Sequence, residues 1–364
     1  MVSFQPGEEQ QLIRETVASF AQEQIRPAAH EADEGGAIPD GLVQQGWELG
    51  LATSAIPEAF GGVGEPISAM TGALVCEELA WGDLSIALHL LAPRLLIYPV
   101  VLAGTAEQQE QILPAFTGNS FRAATAAVIE PRFGFDLNEL STTAQRSNGS
   151  YVLSGSKCLV PIGGSAEQTL VYAGIEGGAG GFIVNKGAAG ISRIEREKNM
   201  GLRALETDEI DLDRCTVPAA GRLGGDKGCD FAALMNRSRV GLAALAVGVA
   251  RAAFEYARDY AKERKAFGVA IGQKQAIAFM LAEMATEIDA TRLLTWEAAW
   301  KIDRGEAATR EAVLAKQYAA NMVLKVTDNA VQVLGGHGYI REHPVERYLR
   351  NGRGFATFEG LVMI

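Results

Sequence analysis

Three groups of residues near the C-terminus have the types and spacing that ligand chemistry requires. The turn Arg264–Gly268 carries two cations, Gly335–Gly336 breaks two helical patterns, and Glu359 stands alone in an apolar tail. A guanidinium suits a phosphate, a glycine pair lets the backbone approach a ligand closely, and a shielded carboxylate suits a general base. The sequence therefore predicts that these three groups form one ligand site.

The composition limits the classes of function. The chain has 364 residues, a formal net charge of −11 at pH 7 and 48% hydrophobic residues, which is enough for two or three domains with a large core. Because no basic stretch is present to neutralise phosphates, we expect no nucleic-acid partner. The four cysteines are scattered without metal-ligand spacing, so we expect free thiols rather than a metal site or disulfides.

The most apolar stretch, Leu84–Ala103, does not have the pattern of a membrane span. His89, Pro93, Arg94 and Pro99 interrupt it, whereas a span needs about 20 mostly apolar residues. The N-terminal residues are charged, unlike the apolar region of a signal peptide. We therefore expect no membrane partner and a cytoplasmic location.

Hydrophobic periodicity divides the chain into three parts and predicts an α+β protein. Residues 1–123 are predicted to form an N-terminal all-α domain. Residues 124–228 carry short β-rich runs between glycine-containing turns, which predict a middle β-barrel or sandwich domain. Residues 229–364 carry long amphipathic runs joined by short turns, which predict a C-terminal four-helix bundle.

The predicted elements follow the same patterns. Helices are predicted at Ser68–Ala80, Leu84–Ile97, Ala106–Phe116, 231–262, 272–303, 306–334 and 344–350. Strands are predicted at Ser150–Leu153, Gln168–Tyr172, Phe182–Val184 and Glu209–Leu212. Gly305 is expected to separate the second and third helices of the bundle.

Several motifs, in order along nearly the whole chain, resemble the acyl-CoA dehydrogenase family of flavoproteins. Ile56–Gly62 is similar to the family's "iPe.yGG" loop, and Glu263–Gly268 with Gln275 is similar to its "ERkqFG…Q" signature. Gln332–Tyr339 is similar to its "QilGG.Gy" turn. The resemblance implies the family's architecture of helical domain, β domain and four-helix bundle.

The resemblance also implies an activity, the α,β-dehydrogenation of an acyl-CoA thioester with FAD as cofactor. In the family a carboxylate removes the α-proton, and Glu359 stands where one large branch has this base. Another branch carries its base one residue before an arginine of the bundle; here Ser238 precedes that arginine, so this alternative is closed. Residues implied to lie around the substrate are Arg239, Asn236, Phe135 and Gly360.

A second implied set contacts the cofactor. By resemblance, Arg264 pairs with the flavin pyrophosphate, Gln275 lies near the adenine end, and the Gly335–Gly336 backbone approaches the cofactor. In the family these groups reach across a subunit interface to the FAD of a neighbour. The further implied cofactor contacts are Phe267, Gln332, Val128, Ile129, Leu159 and Pro161.

The middle domain departs from the family's pattern. Where the family has "TEp.aGSD" and "K.WiTn", this chain has Ile129 and Phe135 in the first segment and Leu159 and Pro161 in the second. These changes remove polar contacts to the flavin, each worth about 0.5–1.5 kcal/mol. The chain's own FAD site is therefore predicted to be weakened.

Three functions remain open at this point. The first is an acyl-CoA dehydrogenase of lipid metabolism, a homotetramer (a dimer of dimers) that passes electrons to an electron-transfer flavoprotein. The second is a subunit of a hetero-oligomeric dehydrogenase that lends Arg264, Gln275 and Gly335–Gly336 to the FAD of an unlike partner. The third is a non-redox relative that binds CoA thioesters.

Overall fold

The computed structural model describes residues 6–364; Met1–Gln5, at the start of the first predicted domain, lie outside the described residues. The N-terminal part is helical, as predicted. Its α-helices are α1 (Glu8–Phe20), α2 (Arg26–Gly35), α3 (Asp40–Glu48), α4 (Ala69–Gly82), α5 (Leu84–Leu91), α6 (Arg94–Ala103) and α7 (Ala106–Ile112). Side-chain caps define several starts: the Ser68 hydroxyl accepts a hydrogen bond from Thr71 N at 3.2 Å before α4.

The prediction of one helix over Leu84–Ile97 is wrong in its continuity. Helix α5 ends at Leu91, α6 begins at Arg94, and the two are bent by 42°. Pro93 lies at the break. Proline has no N–H to donate, and its ring clashes with the carbonyl one turn earlier, so the apolar run cannot continue as a single helix.

The middle part forms a β domain, which confirms that prediction. Its strands are β1 (Ala124–Ala127), β2 (Thr143–Ser147), β3 (Ser150–Pro161), β4 (Gln168–Ile175), β5 (Gly178–Asn185), β6 (Ile191–Arg196) and β7 (Thr207–Pro218). They form one sheet in the order β1-β4-β2-β3-β7-β6, with β5 on the other edge of β4. Strand β1 runs parallel to β4, whereas β3 pairs antiparallel with β2 and β7.

The C-terminal helices also match the prediction closely. They are α8 (Phe231–Glu263), α9 (Gln275–Asp303), α10 (Thr309–Leu334), α11 (Gly336–Tyr339) and α12 (Val345–Arg353). A two-stranded hairpin, β8 (Lys265–Ala266) and β9 (Val269–Ala270), joins α8 to α9. Gly305, with a φ of 67°, lies just after α9 as expected for a helix-ending glycine.

Helix α8 is the centre of the core. By length and composition it could cross a membrane, but 78% of its most apolar stretch is buried within the fold. Its contacts with α10 show that the two helices run parallel: Asn236 bonds Thr309 near both starts, and Tyr260 meets His337 near both ends. Because α8 has 33 residues, groups at its two ends are far apart within one chain.

Helix α4 packs against α8 and α9 through a largely buried ion network. Glu77 lies 2.9 Å from an Arg251 nitrogen of α8 and 3.0 Å from an Arg292 nitrogen of α9. Burial by itself raises the pKa of the neighbouring Glu78 carboxyl, but hydrogen bonds and charge from Arg251 outweigh it and lower that pKa. The network fixes the N-terminal domain on the bundle.

Candidate active site

The loop that carries Glu359 follows α12 and is built on two aromatic rings. Phe355 and Phe358 are buried, with ring centroids 5.4 Å apart. Gly354 allows this packing, because a Cβ there would lie 2.0 Å from the Phe358 ring. The residues after Gly360 are also buried, so an apolar surround keeps the Glu359 side chain only 16% exposed.

The Glu359 carboxylate lies between two cations from different helices. Its Oε1 is 3.0 Å from Lys316 Nζ on α10, and its Oε2 is 3.6 Å from Arg239 Nε on α8. Lys316 and Arg239 are themselves only 13% and 18% exposed. Oε2 has no hydrogen-bond partner among the described residues. One oxygen is thus held by Lys316, and the other is left to accept a proton.

Sequence reasoning missed Lys316, although a signal for it exists. Lys316 lies on the buried face of α10, where its neighbours Ala312, Ala315, Ala319 and Ala320 are buried alanines. A lysine on such a face needs an anionic partner. Its partner is Glu359, which lies on a distant part of the sequence, so the pairing appears only in the fold.

Asn236 and Arg239 share one face of α8, because residues three apart in a helix are neighbours. Asn236 is 6% exposed, and its amide nitrogen donates to the Thr309 hydroxyl at 2.8 Å. Its amide oxygen has no partner among residues 6–364. The side chain is therefore held in place with one acceptor free, as a substrate contact would require.

Gly360 joins the Glu359 loop to the middle domain. Its φ is 67°, and a Cβ at this position would lie 2.4 Å from Val128 Cγ2. Val128 directly follows β1 and is 3% exposed. Only glycine fits here, and the contact fixes Glu359 relative to the β domain.

We expect Gly360→Ala to lower the free energy of unfolding by roughly 2–5 kcal/mol, through backbone strain together with the clash against Val128. Gly305→Ala is a matched control, because Gly305 has the same φ of 67° and open space around its Cβ direction. The control should lose only about 1–2 kcal/mol from strain. Urea denaturation of both variants measures the difference, and equal losses would show that the Val128 contact is unimportant.

Val128 and Ile129 lie beside the segment of β3 that carries Leu159 and Pro161. Cys158 N donates to Ile129 O at 2.9 Å, so the two segments are hydrogen-bonded neighbours. Leu159 has a φ of 51° and donates its N–H to a Glu197 carboxylate oxygen at 3.0 Å. The structure thus brings these four predicted cofactor contacts together, with apolar side chains at all four positions.

A buried ion pair lies behind this apolar surface. Lys157 Nζ is 3.0 Å from a Glu130 oxygen and 2.9 Å from Val128 O, and the Lys157 side chain is fully buried. Burial by itself raises the pKa of the Glu130 carboxyl, but the Lys157 charge and two backbone N–H donors outweigh it and lower that pKa to about 2. Burial lowers the pKa of the Lys157 amine to about 8, an effect that Glu130 partly offsets.

We expect Lys157→Met to reduce the free energy of unfolding by up to about 3–5 kcal/mol, because Glu130 would lose its buried cation and keep only the partly exposed Arg132, 3.3 Å away. Arg193→Met is the control, since Arg193 pairs with Glu195 on the surface and such pairs contribute about 0–1 kcal/mol. Chemical denaturation compares the two variants. A loss in Lys157→Met no larger than in the control would contradict the structural role of the pair.

The cofactor-binding residues predicted in the bundle lie at the other end of α8. The β8–β9 hairpin turns through Phe267 and Gly268, whose φ values of 54° and 81° suit a type I′ turn. The predicted contacts Arg264, Phe267 and Gln275 are all exposed around this hairpin. Arg264 forms no ion pair with the carboxylates of residues 6–364, so its guanidinium is available to an anion.

The Gly335–Gly336 pair follows α10 and lies at the same end of α8 as the β8–β9 hairpin, here called the hairpin end. His337 Nδ1 is 2.9 Å from the Tyr260 hydroxyl on the last turns of α8. Gln332 is exposed, and a Cβ at Gly335 or Gly336 would meet no atom within 4 Å. Within one chain these glycines face open space, as they would if their ligand belonged to a neighbouring molecule.

The prediction that all three C-terminal groups form one site is wrong for a single chain. Arg239, which contacts Glu359, and Arg264 are separated along α8 by roughly 37 Å, at about 1.5 Å per residue. Two separate clusters result. Glu359, Arg239 and Lys316 lie near the start of α8, whereas Arg264, Gln275 and Gly335–Gly336 lie near its end.

Phe135 lies in the loop after the apolar surface and is half-buried. It packs against the hydrophobic cluster that includes most of the buried residues of α8 and against a second cluster that includes Val128. The exposed Phe133 precedes it, and Gly134, with a φ of 68°, forms the turn between the two. Phe135 therefore fills space between the β domain and the helices, while its assignment to the substrate stays a prediction.

Comparison with known families covers most of the chain. The model described as acyl-CoA dehydrogenase, N-terminal domain, matches residues 7–119, and that of the middle domain matches residues 125–215. The model of the acyl-CoA dehydrogenase C-terminal domain matches residues 228–361.

Individual relatives are similar over almost their full length. An acyl-CoA dehydrogenase of Bacillus subtilis (strain 168) is 35% identical over 97% of this chain and 94% of its own length. The structure of butyryl-CoA dehydrogenase from Megasphaera elsdenii matches with a TM-score of 0.88 and 30% identity, over 98% and 96% of the two chains. The FAD complex of PigA matches with a TM-score of 0.89 and 26% identity, over 98% and 95%.

Proposed function

Because the chain belongs to the acyl-CoA dehydrogenase family, the oxidoreductases that act on CH–CH bonds, we propose that it is FAD-dependent and uses Glu359 as general base. The observation that carries this proposal is the Glu359 carboxylate, which is shielded by aromatic rings and held by Lys316 with one oxygen unbonded. A base fixed in this way meets the geometric requirement for proton abstraction.

In the proposed reaction, Glu359 takes the proton from the carbon next to the thioester carbonyl. The electron pair of that C–H bond would form the new C=C bond, and bound FAD would supply the acceptor for the β-hydrogen and its electron pair. Lys316 and Arg239 hold the carboxylate in place, and the buried Phe355 and Phe358 exclude water from its surroundings. Asn236 lies on the same face of α8, where its free amide oxygen can accept a hydrogen bond from the substrate.

The donor set of the hairpin end suits the FAD pyrophosphate and adenine. Arg264 is exposed and pairs with none of the carboxylates of residues 6–364, and its guanidinium matches the charge and the fork geometry of a phosphate. Gln275 and the open Gly335–Gly336 backbone lie at the same end of the molecule. Since Arg239, which contacts Glu359, is roughly 37 Å from Arg264 along α8, we propose that these groups serve the FAD of a neighbouring subunit. Val128, Ile129, Leu159 and Pro161 of that subunit would hold its flavin ring.

Exposed apolar side chains on α9 and α10 support an oligomer. Long apolar side chains that one chain alone leaves in water are expected to be covered by another subunit. We propose a dimer of dimers in which these two helices contribute to the interface, and an electron-transfer flavoprotein as electron acceptor. The exposed residues are Phe279, Leu293, Trp300, Val313, Leu314 and Tyr318.

The apolar surface of the middle domain favours a second candidate, a subunit of a hetero-oligomeric dehydrogenase. Ile129 and Pro161 offer no side-chain hydrogen bond, and the Leu159 N–H is already donated to Glu197. A chain with this surface could lend its hairpin end to an unlike partner and bind little FAD itself. A non-redox CoA-thioester-binding relative is the remaining alternative.

Expression of the chain alone, followed by a visible absorbance spectrum and an acyl-CoA turnover assay, tests the proposal. We expect a yellow oligomer that releases FAD on denaturation and reduces an artificial electron acceptor with an acyl-CoA. A colourless protein that turns yellow only when produced with a second dehydrogenase chain would favour the hetero-oligomer. A colourless protein that binds acyl-CoA but never FAD would exclude both redox functions.

A further inference from the structure

A cavity of about 260 Å³ lies among the N-terminal helices. Residues of α1, α4 and α6 and of the segments between α3 and α4 form its wall, and neither Glu359 nor any residue of α8 contributes to it. Much of the wall is aliphatic, including the buried Val17 and Val75. The cavity is thus separate from the proposed active site and needs its own explanation.

Arg94 of α6 contributes a buried positive charge to this wall. It is 4% exposed, its Nε donates to Leu51 O at 2.5 Å, and its guanidinium carbon is 5.0 Å from the centre of the Tyr98 ring. Its two terminal nitrogens form neither an ion pair nor a hydrogen bond with residues 6–364. The strongest donors of this side chain therefore have no protein partner among the described residues.

Arg347, another buried arginine of this protein, lies next to a buried carboxylate. Arg347 is also 4% exposed, and its Nε lies 3.4 Å from a carboxylate oxygen of Asp83, which is 3% exposed. Buried guanidinium groups require such an anion, because the loss of water is otherwise uncompensated. Arg94 is buried to the same extent, but no carboxylate of residues 6–364 forms an ion pair with it.

We propose that the cavity binds a small monocarboxylic acid, with its carboxylate on the Arg94 guanidinium and its hydrocarbon part against Val17 and Val75. A bidentate pair with a carboxylate is the contact that the free end of an arginine makes best. A cavity of about 150 Å³ holds benzene, so this one has room for an acid of about six carbons.

The entrance of the cavity suits such an amphiphilic ligand. Leu12 and Leu49 line it and are 66% and 44% exposed, which gives an apolar rim. Glu65, the acidic residue of the wall, is exposed to solvent. Arg94 is therefore the charged group at the buried end, and the apolar rim can contact the hydrocarbon.

Isothermal titration of the purified chain with hexanoate and with hexanamide tests the proposal directly. We expect one hexanoate per chain and at least about ten-fold weaker binding of hexanamide, which has nearly the same shape without the charge. Arg94→Met should weaken hexanoate binding by at least about ten-fold, whereas Arg146→Met, on the surface, should leave it unchanged.

A second variant locates the binding and covers a failure of Arg94→Met to fold. Ser54 lines the cavity, so Ser54→Phe should fill it and abolish hexanoate binding without altering acyl-CoA turnover. Equal binding of hexanoate and hexanamide, no hexanoate binding by the natural chain, or full binding in Ser54→Phe would each overturn the proposal. None of these results depends on the proposed dehydrogenase activity.

Discussion

Replacing Glu359 with glutamine is expected to lower the turnover of an acyl-CoA thioester by about 10²- to 10⁴-fold. The amide has almost the same size but cannot take the α-proton. It can still accept a hydrogen bond from Lys316, which lies 3.0 Å from the carboxylate in the natural chain, so the loop should keep its position. Turnover with a dye as electron acceptor measures the effect.

Two controls separate the chemistry from folding and binding. Glu342→Gln changes an exposed glutamate in the turn between α11 and α12 and should leave turnover unchanged. The FAD absorbance and acyl-CoA binding of Glu359→Gln should match those of the natural chain. Undiminished turnover in Glu359→Gln would remove Glu359 as the base.

Replacing Lys316 with methionine is expected to lower kcat by about 10²-fold while KM changes by less than about three-fold. Lys316 contacts Glu359 Oε1, whereas the oxygen expected to take the proton is Oε2, so Lys316 acts as a positioning residue. Without its Nζ, the carboxylate would be held only by the 3.6 Å contact with Arg239. A base displaced by about 1 Å loses much of its rate without loss of substrate affinity.

Rescue and a matched variant decide whether Lys316 acts through Glu359. Lys316→Arg keeps a cation at the end of a long side chain and should restore most of kcat. Lys325→Met removes an exposed lysine of the same helix, which pairs with Glu287, and should be neutral. A Lys316→Met variant with normal kcat, or one that only unfolds more easily, would contradict the positioning role.

The sequence predicts the helices of the bundle well because nearby residues determine where each helix begins and ends. Asp230 caps the start of α8 by accepting a hydrogen bond from Ala233 N, and Gly305 adopts a left-handed φ after α9. Strand β1, Ala124–Ala127, was not predicted, since alanines carry no strand preference. Its pairing with β4 makes it a strand.

The site is predicted only in part, because its contacts join distant segments. The side chains of Glu359 and Arg264 indicate a general base and a phosphate contact. The distance between them, however, follows from the length of α8. Lys316 and its contact with Glu359 depend on how α10 packs against the C-terminal loop. The pairing of Lys157 with Glu130 likewise becomes visible only in the folded sheet, although the two residues lie in the two middle-domain segments that were compared with the family's pattern.

Recovery of activity from two inactive variants tests the composite site most directly. One chain carries Glu359→Gln; the other carries Arg264→Met with Gln275→Ala and should lose FAD. Each alone should be inactive, whereas mixed oligomers purified through tags on both chains should recover up to roughly half of the natural activity per mixed pair, because one of its two sites is intact. Mixed oligomers no more active than either parent would contradict a site built from Glu359 of one subunit and Arg264 of the next.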